Sequence, residues 1–155
     1  MAEQETKKRT MVSENRKARH DFEILERVET GIVLLGTEVK SARNGQLSLT
    51  EAWIVPINGE LWLEGCHINP YEHGNLNNHE PVRPRKLLAK RREIEKLAKR
   101  VAEKGLTLIP LAAYFSGRHL KIEIGLARGR KSHDKRHAIR DRESKRRMQR
   151  IREGD

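Results

Sequence analysis

Long hydrophobic runs are missing from this 155-residue chain. No stretch approaches the roughly 20 apolar residues that span a bilayer. The opening "MAEQETKKRTMVSENRK" lacks the apolar centre of a secretory leader, so a cytoplasmic protein is expected. Cysteine is reduced to Cys66, which excludes an intramolecular disulfide; its setting in "LWLEGCHI" reads as a buried strand carrying a reduced thiol. Aromatic residues make up 4% of the chain, too few for a protein that stacks many bases of a single strand. Apolar residues amount to 35%, no more than the 35% that are charged, so one core with an extensive polar surface or unfolded ends is the expected organisation. Internal repeats are absent.

The recognisable chemistry of catalysis is also missing. Nothing supplies a glycine loop that cradles phosphate, a nucleophile motif or a paired-carboxylate metal site. His20-Asp21, Glu38 and His133-Asp134 offer acid or base groups without a framework around them. His67, His73 and His79 lie near Cys66 but without the tight ligand pairs of a zinc site; solvated loop histidines beside a buried thiol are the simpler expectation. No enzyme, metal or cofactor is therefore expected.

What is present is positive charge, unevenly placed. The net charge is +11 and the pI about 10.2. Residues 128–155 hold twelve Lys/Arg against five Asp/Glu, a charge of +7 that leaves +4 for everything before them. A polyanionic partner follows, either nucleic acid or an anionic membrane, against the plainer alternative of a solubilising tail. After Ala127 the tail has only Ala138, Ile139, Met148 and Ile151 as apolar side chains, yet no proline or glycine interrupts Arg130 to Glu153. Such a segment is able to form helix, with Asp141/Lys145 and Glu143/Arg147 at i, i+4 spacing, but must fold against something else or stay unfolded.

Between the ends, alternation of apolar and polar residues predicts strands. Phe22, Ile24, Glu26 and Val28 suggest one that breaks at Gly31 before "IVLLG" begins another, while "TEVKSARNG" reads as a short helix capped by Thr37 and ended at Asn44-Gly45. Asn58-Gly59 between "EAWIVPI" and "ELWLEGCHI" predicts a hairpin, and Ser116-Gly117 predicts another before the alternation Leu120, Ile122, Ile124, Leu126. "NPYEHGNLNNHEPVRP" is a long loop of the functional or disordered kind. In "RKLLAKRREIEKLAKRVAEKG" the residues Leu87, Leu88, Ile94, Leu97, Ala98 and Val101 form a helical stripe ended by Gly105, with a basic opposite face. Five or more short strands with one long helix indicate a small antiparallel barrel. Basic groups at "NRKARH", along "RPRKLLAKRR" and through the tail favour recognition of folded RNA by shape and backbone.

Read in order, "ENRKARHDFEILERVETGIVLLGTEVKSARNGQLSLTEAW", "GELWLEG", "RPRKLL", "KGLTLIPL" and "GLARGRKSHDKR" resemble the signature blocks of the SmpB, or SsrA-binding protein, family. One departure is "LLAK" at Leu87 to Lys90, where many relatives carry a third leucine and a different polar residue. The resemblance implies a mainly β, OB-fold-like antiparallel barrel over residues 13–127 with about three flanking helices. A flexible lead over 1–12 and a basic tail over 128–155, disordered when free and helical on the ribosome, would flank it. It implies a monomer that binds the tRNA-like domain of transfer-messenger RNA one to one and carries it, with elongation factor Tu acting indirectly on the aminoacylated RNA, to stalled ribosomes. The tail would occupy the vacant decoding site and messenger channel. It implies an RNA-binding set on the barrel, residues that contact or organise the RNA surface, of Asn15, Arg16, His20, Glu38, Lys40, Arg85, Lys86 and Leu88, and a decoding-site set of Lys131, His133, Asp134, Lys135 and Arg136. For Glu38 a surface salt bridge to Lys40 or Arg43 is the ordinary alternative, and for Leu88 a place in the core. A general basic RNA chaperone is the alternative function.

Overall fold

A computed structural model describes residues 9–74, 78–103, 105–130 and 133–153. Its elements run β1 (Arg9–Glu14), α1 (Arg16–Asp21), β2 (Phe22–Ile32), α2 (Gly36–Arg43), β3 (Leu47–Ser48), β4 (Trp53–Ile57), β5 (Glu60–Glu64), β6 (His67–Ile68), β7 (Arg85–Leu88), α3 (Arg91–Val101), β8 (Leu106–Ser116), β9 (His119–Gly129) and α4 (His133–Glu153). The pairings are antiparallel, and the order β8-β4-β5-β7-β2-β9 closes on itself because β8 also pairs with β9. This closed ring agrees with the OB-like expectation. β1 adds to β8 beyond β4, and the two-residue strands β3 and β6 pair separately.

Two long strands make the closure possible. β2 is paired along β9 and then, at Gly31 and Ile32, with β7; β8 and β9 are paired over almost their whole length. Each of these ladders has a register shift, between Ile24 and Glu26 and between Pro110 and Ala112. A bulge bends and twists a strand, which is what turning a sheet into a ring requires, and it is where proline is tolerated. Inside the ring, Ile54, Leu61, Leu63, Leu87, Leu108, Ile122, Ile124 and Leu126 are buried together, closed over by Ile94 and Leu97 of α3. A smaller cluster of Ala18, Phe22, Ile109, Leu111 and Ala127 fixes α1 against the outside of the ring.

Several sequence expectations are corrected. β2 does not break at Gly31; the strand runs through it because Gly31 is paired with Lys121 of β9 on one side and Leu88 of β7 on the other, and its missing side chain leaves room for Leu88, whose Cβ lies 3.4 Å from where a Gly31 Cβ would sit. Leu87 and Leu88 belong to β7 and not to the helix, so period two governs them: Leu87 is buried and Leu88 is 49% exposed. The helix begins at Arg91. Arg9 to Met11, read as flexible lead, already pair with β8 through β1. Helix α2 is preceded by Leu35, not capped by Thr37. Within the described residues the tail forms α4 and lies against β4. The two hairpin turns fall where expected, with Asn58 at φ 48 and Gly59 at φ 77 in the first.

Two left-handed glycines give contrasting predictions. A Cβ on Gly59 would meet nothing within 4 Å, whereas at Gly65, φ 72, it would lie 2.6 Å from Trp53 Cζ3 and 2.7 Å from the Glu51 carbonyl. Gly59→Ala should therefore cost about 1–2 kcal/mol of stability from backbone strain alone. Gly65→Ala should cost about 3 kcal/mol or more because overlap is added to strain. Urea denaturation of both variants checks the ranking; equal losses would mean that the Trp53 side chain moves aside freely.

Candidate nucleic-acid interface

The start of α2 has no side chain able to cap it, since Leu35 stands at the capping position. Glu38, three residues on, turns back and accepts the Leu35 N–H at 2.8 Å. The same carboxylate accepts hydrogen bonds from Arg83 Nη2 and from Arg85 Nε. Arg85 is fully buried on β7 and spends its remaining donors on main-chain carbonyls: Cys66 at 2.8 Å, Arg83 at 3.2 Å and Pro81 at 3.2 Å. A planar guanidinium with five donors suits this many-sided cross-link. Burial alone would raise the Glu38 carboxyl, but hydrogen bonds from Arg83, Leu35 and Arg85, with the charge of Arg85, outweigh it and hold the group below its ordinary range. Burial pushes the nearby Cys66 thiol up to about 12, so it is no nucleophile at neutral pH.

The long loop after β6 is organised by similar clamps. His79, expected as a solvated loop residue, is buried: its Nε2 donates to the Ile68 carbonyl at 2.8 Å and its Nδ1 bonds the Thr37 hydroxyl at 2.8 Å. Asn78 accepts from Tyr71 N at 3.0 Å and donates back to the Tyr71 carbonyl. The His79 clamp leads to α2 and β6, so the loop is hung on the same framework as Glu38, while the Asn78 clamp closes the loop on itself. Among the described residues no three His, Cys, Asp or Glu side chains come together as a metal site, and no helix is long and apolar enough to cross a membrane.

The residues expected to face RNA separate into three groups. Glu38 is fully buried, Arg85 likewise, and Asn15 is 3% exposed. Asn15 caps α1 by accepting Ala18 N–H, and its amide donates to the Leu49 and Pro110 carbonyls. These three organise surfaces and do not present their own polar atoms to a ligand, because every such atom already has an internal partner. Glu38 thus pairs with Arg83 and Arg85 inside the protein and not, as the ordinary alternative had it, with Lys40 or Arg43 at the surface. Arg16 and His20 on α1 form the second group, each with a side chain 90% exposed. Lys86 and Leu88 on β7 form the third, and Lys40 stands apart on α2 with its ammonium 5.5 Å from the Tyr71 ring centre.

Helix α1 abuts Phe22 at one end of β2, and β7 pairs with Gly31 and Ile32 at the other. An eleven-residue strand rises about 3.3 Å per residue, so the two groups stand at opposite ends of about 30 Å of strand. Around Lys86 the outer surface mixes charge with apolar area. Trp62 is registered opposite Lys86, Val33 N–H bonds the Lys86 carbonyl, and Val33, Leu35 and Leu88 are each about half exposed. Sequence reading missed Val33, Leu35 and Trp62 as surface and Arg83 as a partner of Glu38, because no local pattern links residues 45 positions apart. Of the tail set, His133, Asp134, Lys135 and Arg136 open the backbone of α4, while Lys131 lies outside the described residues.

The sequence model of the SmpB protein family matches residues 12–154. The chain belongs to the SmpB family. An SsrA-binding protein of Carboxydothermus hydrogenoformans is 53% identical over 139 residues, covering 90% of this chain and 93% of that one. Another from Chlorobaculum tepidum is 53% identical, covering 89% and 88%. A solved structure described as "tmRNA-SmpB: a journey to the center of the bacterial ribosome" is 48% identical, covers 83% of this chain and 94% of its own, and superposes with a TM-score of 0.65. The SmpB likeness thus spans the ring of strands, the organised loop and the tail together.

Removal of one partner from a buried ion pair costs about 3–5 kcal/mol, since the other is left charged and unpaired. Glu38→Gln should lose that much in urea denaturation at neutral pH. Because the folded Glu38 carboxyl sits below its ordinary value of 4.5, its contribution is present above that value and is lost as pH falls through the depressed one. The stability gap between wild type and Glu38→Gln should therefore narrow as pH falls below 4.5 and through the depressed value. A gap independent of pH would count against the ionised hub.

Proposed function

We propose that the protein is the RNA-binding adaptor of trans-translation, recognising the tRNA-like domain of transfer-messenger RNA with its ring of strands and delivering it to stalled ribosomes in the cytoplasm. The single observation that carries this reading is the co-linear SmpB match from residue 12 to 154, which includes both the body and the basic tail. The related proteins are described as SsrA-binding, and the matching solved chain comes from a study of tmRNA with SmpB at the ribosome. No catalytic role is assigned; the chain acts by binding.

In this reading Arg16, His20, Lys40 and Lys86 supply phosphate and sugar contacts, and Leu88 supplies an apolar contact to an unstacked nucleotide. Glu38, Arg85 and Asn15 act one step back, by holding α2, β7 and α1 in place. Lys131, His133, Asp134, Lys135 and Arg136 meet ribosomal RNA at the decoding site, where lysine and arginine neutralise phosphate and the imidazole is able to stack on a base. Glu38→Arg should weaken specific RNA binding through collapse of the hub despite its added positive charge; tighter specific binding would contradict it.

The body has its own core, so deletion of Lys131 to Asp155 should leave a folded protein that binds transfer-messenger RNA with affinity within about tenfold of wild type at moderate salt, some loss following from fewer cations. Peptide tagging on ribosomes stalled without a stop codon should be abolished. Asp134→Ala, Lys135→Ala and Arg136→Ala combined should behave alike. Normal tagging by either variant, or binding to ordinary tRNA as tight as to transfer-messenger RNA, would overturn the proposal in favour of a general RNA chaperone.

A further inference from the structure

Lys40 stands apart from the other cations expected to contact RNA, and next to its neighbour Tyr71 lies a cavity of about 230 Å³. One wall is the end of α2 and the turn after it, with Asn44 and Gln46; the other is the start of the long loop, with Asn69, Tyr71 and His73. Pockets for drug-sized molecules run from roughly 300 to 1,000 Å³, so this one suits a single ring system. Main-chain bonds hold the walls. Asn69 N–H donates to the Gln46 carbonyl at 3.0 Å, and the Tyr71 carbonyl accepts from Gly74 N–H at 2.9 Å and from the Asn78 amide that also holds Tyr71 N–H. Gly74 leaves room for this closure, since a Cβ there would lie 2.7 Å from Asn78 Nδ2.

The lining side chains leave polar groups unused. Asn69 Nδ2 donates to Gln46 Oε1 at 2.5 Å, which leaves the NH2 of Gln46 and the C=O of Asn69 for a ligand. The side-chain amide of Asn44 has no partner among the described residues. Tyr71 is half-buried, and its ring meets two neighbours: the His73 ring, 5.4 Å away between centres and inclined at 73°, and the Lys40 ammonium at 5.5 Å. An aromatic ring beside amides that both donate and accept matches a planar heterocycle with donors and acceptors along its edge. Lys40 adds a cation for a phosphate attached to that ring. The Glu72 carboxylate on the rim disfavours an anion that brings no ring of its own.

We infer that the cavity between the end of α2 and the start of the long loop is a subsite for one unpaired nucleobase, stacked on Tyr71, read at its edge by Asn44, Gln46 and Asn69, and joined through its phosphate to Lys40. The inference rests on the proposed function and gives Lys40 a place in it. Glu38 and Lys40 share α2, so the hub that fixes β7 also fixes this cavity relative to Lys86 and Leu88. A base that is paired within a helix has no free edge to offer, so the subsite selects a folded RNA that turns one base out.

Titration of the full chain with the nucleoside monophosphates of the four RNA bases, and with ribose phosphate as control, tests the subsite without transfer-messenger RNA and so separately from the functional reading. NMR follows the side-chain amides of Asn44, Gln46 and Asn69. At least one nucleotide should shift all three saturably with a Kd on the order of 1 mM, and ribose phosphate should not. Tyr71→Ala should weaken that binding about tenfold or more by loss of stacking, while Tyr71→Phe should stay within about twofold; unchanged β8 and β9 resonances show that both variants are folded. No saturable shift with any nucleotide, an equal shift with ribose phosphate, or binding indifferent to Tyr71→Ala would overturn the subsite. With transfer-messenger RNA, Tyr71→Ala should lose about tenfold in affinity at an unchanged salt slope, because stacking releases no counterion, whereas Lys40→Ala should lower the slope. Nucleotide binding without an effect of Tyr71→Ala on RNA affinity would overturn the subsite's part in RNA recognition. Equal wild-type affinity for ordinary tRNA would instead sink the proposed function and leave the nucleotide result standing.

Discussion

A carboxylate shut away from water fixes the geometry on which the rest depends. Glu38 is buried together with Arg85, and neither would tolerate burial without the other, because an isolated ion in a low-dielectric interior costs several kcal/mol even after relaxation, on the order of 5. Their pairing ties the first turn of α2 to β7, and the spare donors of Arg85 extend the tie to the Cys66 and Pro81 carbonyls. The helix start, the strand that carries Lys86 and Leu88, and both ends of the long loop therefore move as one body. Hydrophobic contacts alone would leave these segments free to slide, since apolar burial is not directional; the fork geometry of a guanidinium is.

This explains why residues matched to an RNA-binding family are found inside the protein. A polyanion is recognised by where charges and apolar contacts stand relative to one another, and that spacing belongs to the framework. Lys86 is able to neutralise a phosphate anywhere on the surface, but only with β7 locked against Glu38 does it lie between Trp62 and Val33, with Leu88 two residues along. Asn15 plays the corresponding part for α1, using its amide to bind two carbonyls from separate segments so that Arg16 and His20 project from a fixed base.

The tail follows a different rule. Its charge is far in excess of what its own fold needs, and its helix is long because nothing in Arg130 to Glu153 interrupts it. It brings few apolar side chains to the body, whereas α3 packs Ile94 and Leu97 against the ring core. An α3 that is part of the core and an α4 that is not are consistent with one helix that completes the fold and one that serves a partner.

The sequence by itself determined the alternating strands, the Asn58-Gly59 and Ser116-Gly117 turns, the segregation of positive charge into the tail and the ordered blocks of the SmpB family, since each is written in residues close together along the chain. What it left open were choices settled between distant segments. Leu87 and Leu88 fit a helical stripe and a strand equally well as letters; pairing with Gly31 and Ile32 of β2 decided for strand. Gly31 looks like a break until β7 and β9 both need its backbone. Glu38 reads as a surface charge because its partners stand 45 and 47 positions away. Local patterns encode the backbone period and turn chemistry, whereas burial of a charged group depends on which other segment brings its counter-charge, and only the tertiary structure makes that assignment.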